Sequence, residues 1–262
     1  MIWMHSINWL YATSGFAVGL LVGFTGVGGG SLMTPVLVLL FGFHPATAVG
    51  TDLLYAGLTK SGGTVVHGLN RTVDWRIVGR LAAGSLPGAA VTLWVLAHVD
   101  HSGQGAAGTL NTVLGVALML TAVTLVARTW LLARLGRLSE RMTDQRRARM
   151  TVALGLALGV MVSLTSVGAG AIGVTVLLVL YPRLPTVRIV GSDIAHAVPL
   201  TLLAGAGHWV MGSVDWALLG SLLIGSLPGI AIGSQIAARV PDRYLRPVLA
   251  GTLAVVGARL AF

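Results

Sequence analysis

Two glycine-rich interruptions carry the first chemical signal in this chain. Thr25-Gly26-Val27-Gly28-Gly29-Gly30-Ser31 breaks one apolar run, and Thr165-Ser166-Val167-Gly168-Ala169-Gly170 breaks another. A helix restarting at about Ser31 or Ala171 presents backbone N–H groups without intrahelical partners, and its dipole adds roughly half a positive charge there. Glycine permits the tight turn and leaves those amides uncovered. Such a terminus suits an oxyanion with several acceptor oxygens. The competing reading is close helix packing by small residues, the role expected of Gly15, Gly19 and Gly23. Gly168, Gly170 and Gly173 also fit a GxGxxG spacing, but without a preceding strand the match carries no nucleotide-binding meaning.

Ionisable residues inside apolar runs are the second signal, because a charge there is costly and usually functional. Lys60 is the sole lysine and falls in the middle of such a run. On a helix, Asp52, Lys60 and His67 share one face, although Asp52 and Lys60 stand about 12 Å apart along the axis. Asp193 and His208 repeat the outer pair, with Thr201 in the place of the lysine and His196 added. Lys60 and Thr201 therefore join the two breaks as candidate anion ligands. Asp52, Asp193, His67, His196 and His208 are candidate proton carriers, histidine because it titrates near neutral pH.

Each residue also has a structural alternative. Lys60 pairs with an acid or snorkels. Asp52 and Asp193, each preceded by Gly-Thr or Gly-Ser, cap a helix. His67 and His208 serve at a membrane interface, and Arg80, one turn into a helix, snorkels to the surface. Asp74-Trp75 and Asp215-Trp216 read as N-caps with interfacial tryptophans, and Pro87 and Pro228 as kinks in their helices. No HExxH, no paired carboxylates and no Ser-His-Asp set point to catalysis. The absence of cysteine excludes thiolate metal sites and disulfides. Neither an enzyme, a metal site nor a cofactor is expected.

The elements that carry these residues are apolar helices. The chain has 262 residues, 55% hydrophobic and 10% charged, with a mean hydropathy of +0.86. Soluble domains carry about 25% charged residues, so this composition excludes a soluble protein. Continuous rather than alternating apolar runs disfavour a β-barrel. The expected fold is an all-α integral membrane protein.

An internal repeat organises it. LLVGFTGVGGGSL (20–32) matches VMVSLTSVGAGAI (160–172) at an offset of 140, and from there the offset is 141. Val-Gly-Thr-Asp (49–52) meets Val-Gly-Ser-Asp (190–193), and His67 meets His208. Val-Asp-Trp (73–75) meets Val-Asp-Trp (214–216), and GSLPG (84–88) meets GSLPG (225–229). The first repeat covers 1–129, a basic linker 130–150, and the second repeat 151–262. Each copy reads as five apolar pieces: roughly 9–24, 31–43, 46–69, 76–97 and 109–128, then 151–164, 171–182, 186–211, 217–238 and 245–261. The first two pieces of each copy are too short to cross a hydrocarbon core of about 30 Å. They read as a Gly-broken hairpin, about 9–43 in the first copy, followed by three spans, although two short full crossings would preserve the same sidedness.

Charge placement orients the copies. Of 17 basic residues against 8 acidic, seven are arginines between Arg128 and Arg149, which marks a cytoplasmic segment rather than a nucleic-acid surface. Arg71 and Arg76 then place their loop inside, as do Arg239, Arg243 and Arg246. Loops in equivalent positions fall on opposite sides, so the repeats are expected to be inverted, the architecture of secondary transporters with a midplane site. Both termini are expected on the periplasmic side. The first 59 residues hold no Lys or Arg, so no cleavable signal is expected.

The motifs GFTGVGGGSLMTPVL, the paired VGTD and VGSD, and GSLPG resemble the TauE/SafE sulfite exporter family over nearly the whole chain. The resemblance implies a transporter exporting sulfite or organosulfonates such as sulfoacetate across the bacterial inner membrane, driven by the proton gradient. The residues alone reach only an anion transporter with inverted repeats. An importer or channel for another small anion, and a non-transporting assembly subunit, are the alternatives. In the second break Ala169 and Ala171 replace Gly29 and Ser31, so the halves need not contact substrate equally. The expected partners are a small anion, the lipid bilayer and a second copy in a homodimer; nucleic acid is not expected.

Overall fold

The computed structural model describes residues 9–25, 30–98, 104–140, 142–237 and 242–261. Every regular element among them is a helix: α1 (Trp9–Thr25), α2 (Gly30–Leu39), α3 (Pro45–Leu69), α4 (Trp75–His98) and α5 (Gln104–Glu140), then α6 (Asp144–Thr165), α7 (Ala171–Leu180), α8 (Thr186–Val210), α9 (Trp216–Ala237) and α10 (Asp242–Ala261). Two sets of five follow one pattern. α2 and α7 have 10 residues each, and α3 and α8 have 25 each. Ten residues reach about 15 Å, half of a hydrocarbon core.

Five helical stretches among the described residues are long and apolar enough to cross a membrane: Trp75–His98, Gly108–Gly136, Asp144–Thr165, Thr186–Val210 and Trp216–Gly233. The outward surface is apolar, with Val91, Trp94, Val126 and Leu227 exposed, as lipid requires. α3 has the length but is diluted by Asp52, Lys60, His67 and its glycines. It packs instead against α8, with Val49, Leu53, Ala197, Leu200 and Ala204 in one buried cluster. The stretch read from sequence as a linker is mostly helix, because α5 runs on to Glu140 and α6 begins at Asp144. Leucine, alanine and arginine are good helix formers, and the Arg134 guanidinium sits over the Trp130 ring one turn earlier. The chain breaks only where the Thr143 side chain caps α6 by accepting from the Arg146 amide.

Helix packing repeats across the halves. α1 lies along α9 and α4 along α6, while α3 pairs with α8 and α5 with α10. Glycines set the courses. Gly50 faces His208, Gly57 faces Thr201, Gly63 faces Ile194 and Gly191 faces His67, so equivalent helices α3 and α8 run antiparallel. Gly115 meets Ala261 while Gly257 meets Leu118, so α5 and α10 do the same. Gly15 against Leu222 and Gly19 against Ser226 make α1 and α9 parallel, and Gly84 and Gly88 do so for α4 and α6.

One pair of substitutions tests this packing. A Cβ on Gly84 would collide with the Val152 carbonyl and the Leu156 amide, whereas Gly79 on the same helix has open space. Gly84→Ala is expected to cost at least the roughly 1–3 kcal/mol of an overpacked site, and Gly79→Ala nothing. Thermal unfolding in detergent, followed by size-exclusion chromatography, reads the difference; equal midpoints would reject the close α4–α6 contact.

Candidate functional site: a buried polar cluster between the halves

Asp52 and Asp193 are each the eighth residue of a 25-residue helix, so neither caps its own helix, and that sequence reading is corrected. The helices start seven residues earlier, at Pro45 and Thr186. Both carboxyls are buried and reach the first turns of the short helices. The Thr34 hydroxyl donates to Asp52 Oδ2 at 2.5 Å, and the Thr34 amide donates to the same oxygen at 3.2 Å. Thr34 is the fifth residue of α2, as Thr175 is of α7. In the second half, Asp193 Oδ1 occupies the space that a side chain on Gly173, at the start of α7, would need. Among the described residues, Asp52 Oδ1, Asp193 Oδ1 and the Thr175 hydroxyl have no hydrogen-bond partner.

Five further residues complete the cluster. Lys60, on α3, acts electrostatically on Asp193 and Asp52 and on His196. His196 Nε2 lies 2.7 Å from the Ser85 hydroxyl. Tyr55, at the equivalent position of α3, directs its hydroxyl toward Ser226, the equivalent of Ser85. Thr34, Thr175, Tyr55, Ser85 and Ser226 were not among the residues picked from sequence. Both serines belong to the repeated GSLPG, so the repeat itself held that signal.

The second break is closed and buried. α6 ends at Thr165, Ser166 takes a left-handed conformation (φ 58°), and its amide donates to the Val162 carbonyl. Gly168 has φ 112°, where a side chain would be strained. The Ser166 hydroxyl approaches Asp52 of the other half. The expectation of uncovered amides is corrected in part, because the Ile172 and Gly173 amides both donate to the Gly168 carbonyl. Thr165 donates its hydroxyl to the Met161 carbonyl and accepts from the Val167 amide. Gly170 is the residue preceding α7. In the first break Gly30 opens α2, while Gly26, Gly28 and Gly29, and the side chains of Thr25 and Ser31, lie outside what is described.

The remaining candidates serve packing contacts. Thr201 donates to the Ala197 carbonyl of its own helix and packs on Gly57. His67 Nδ1 lies 2.8 Å from the Thr72 hydroxyl, and His208 Nε2 lies 2.9 Å from the Ser163 carbonyl. Each histidine packs on the glycine two residues ahead of the opposite aspartate, Gly191 and Gly50 respectively. The rest of VGTD and VGSD ties the halves together. The Thr51 hydroxyl accepts from the Asp215 amide, and the Ser192 hydroxyl from the Asp74 amide. Asp74 and Asp215 cap their helices as expected, accepting from the Arg76 and Leu218 amides.

The cluster sets a lysine and two buried carboxyls, one from each half, beside the beginnings of two short helices. A family model described as "Sulfite exporter TauE/SafE" matches residues 11–260. The chain belongs to the TauE/SafE family. It is 37% identical over 248 residues to a Bacillus subtilis protein named "Probable membrane transporter protein YjnA", covering 94% of this chain and 96% of that one. A second B. subtilis protein, "Probable membrane transporter protein YdhB", is 29% identical over 255 residues, covering 94% and 97%. A Methanocaldococcus jannaschii relative with the same description is 20% identical over 258 residues, covering 93% and 91%. No solved structure matches the chain. This TauE/SafE protein is thus a multi-pass membrane transporter.

Proposed function

We propose that the protein is a proton-coupled secondary transporter that exports small sulfur oxyanions, sulfite or organosulfonates such as sulfoacetate, across the bacterial inner membrane. One observation carries the reading: two buried aspartates from opposite halves each sit at the start of a short broken helix, with the only lysine acting on both. The N-terminus of α2 or α7 favours negative charge. An ionised aspartate and a bound oxyanion compete for it, which would tie anion binding to the protonation state of the carboxyl. Sulfur as the cargo rests on the family description.

In this reading the two halves are inverted across the bilayer, with 130–150 cytoplasmic and both termini periplasmic. The antiparallel courses of α3 with α8 and of α5 with α10, and the parallel courses of α1 with α9 and of α4 with α6, each agree with the sidedness that the arginines dictate. Sulfite uptake into liposomes containing the purified protein, with and without a pH gradient, tests the proposal. Saturable uptake that rises with the gradient and is inhibited by sulfonates is expected. Uptake indifferent to the gradient would remove proton coupling, and no uptake would remove sulfite as substrate.

A further inference from the structure

A cavity of about 300 Å³ opens where α4, the start of α6 and the end of α7 meet, on the face carrying the arginine-rich stretch. Arg76, Arg80, Arg147 and Arg183 line it, against two acids, Asp74 and Asp144. Sidedness alone asks only for cations in these loops; it does not ask that four of them line one cavity. The repeat makes the contrast plain: the positions equivalent to Arg76, Arg80 and Arg183 are Ala217, Ser221 and Gly42, none of them a cation.

The wall is built in advance. Arg80 reaches out to this solvent-facing cavity, where it is held by partners. It donates to Asp144 at 2.8 Å and to the Tyr181 hydroxyl at 3.2 Å. The Tyr181 hydroxyl is also 2.9 Å from that of Thr151, and the Arg147 guanidinium lies over the Tyr181 ring. The buried Arg147 Nε has no hydrogen-bond partner among the described residues, while Arg76 and Arg183 are exposed. The Arg80–Asp144 pair thus connects α4 of the first half to the start of α6.

We propose that this cavity is a vestibule that captures a small oxyanion, of the sulfonate, sulfite or phosphate type, and that the anion takes Arg80 from Asp144 as it binds. Guanidinium forks suit planar or tetrahedral oxyanions. The onward path of the anion rests on the transport reading above, but its capture does not, and binding is measured without transport.

The probe is methanesulfonate, titrated calorimetrically into the full-length protein in phosphatidylcholine nanodiscs. Arg76→Gln/Arg183→Gln is expected to weaken binding about tenfold or more, the loss of charge-assisted hydrogen bonds. Asp144→Asn, which removes the competitor for Arg80, is expected to tighten it several-fold. Arg259→Gln, outside the cavity, should match wild type. Binding unchanged in the double variant, or absent from wild type, would overturn the proposal. If phosphatidylglycerol in the nanodisc weakens binding to wild type but not to the double variant, the same site takes a lipid phosphate, and the source of the oxyanion is the membrane. Vestibule binding without any flux in liposomes would leave the site standing and remove the transport reading.

Discussion

Lys60→Ala is expected to abolish saturable anion uptake while leaving a monodisperse, folded protein. Lys60 is the only cation among the described residues that acts on Asp52, Asp193 and His196. Without it, an incoming anion meets two carboxyls with no lysine opposite them. A unit charge about 4 Å from an anion, at an effective dielectric near 20, contributes on the order of 4 kcal/mol. Losing it therefore lowers uptake on the order of a thousandfold. Lys60→Arg should retain part of the activity, since charge rather than shape is required. A lysine that merely neutralises Asp193 would behave differently, because Lys60→Ala/Asp193→Asn would then recover uptake. Wild-type uptake by Lys60→Ala in reconstituted liposomes would exclude Lys60 from the site.

The architecture was legible because its signals are distributed over many residues. Apolar runs fixed the class, and matched polar residues in a single register exposed the repeat. The third helices came out within a residue of α3 and α8, bounded by His44-Pro45 on one side and Pro185-Thr186 on the other. Proline at the first helical position, or just before it, is a strong start signal. The end of α5 and the start of α6 were less visible, since arginines that read as a loop are equally good helix formers.

Within the site, acids and the lysine stand out in apolar sequence, but hydroxyls do not. Most serines and threonines in such helices donate to their own backbone one turn earlier, as Thr92 does to Gly88 and Thr121 to Ala117. Nothing local separates Thr92 from Ser85, seven residues before it, whose hydroxyl meets His196. Only the fold brings α4 against α8. The same holds for Thr34 and Asp52, which come from different helices. Gly-Thr-Asp reads locally as a cap, yet its threonine grips the opposite half and its aspartate turns to the cluster.

That division of labour makes Asp52→Asn/Asp193→Asn the sharpest test of coupling. Asparagine is close to the shape of aspartic acid, and its carbonyl can still accept from the Thr34 hydroxyl and amide, so the helix start stays occupied and the fold is kept. What is lost is a charge that comes and goes. If the carboxyls carry the coupling protons, the double variant still exchanges labelled sulfite across the membrane at equal concentrations but no longer concentrates it against a gradient. One pH unit is worth about 1.4 kcal/mol per proton, so each proton carried supports about tenfold accumulation. Wild type should reach about tenfold if one aspartate works per cycle and about a hundredfold if both do. The single variants then divide the coupling between the halves, and a variant of the coupling half should lose its tenfold without losing exchange. A double variant that accumulates sulfite as wild type does would show that the protons travel elsewhere, with buried His196 as the group to replace next.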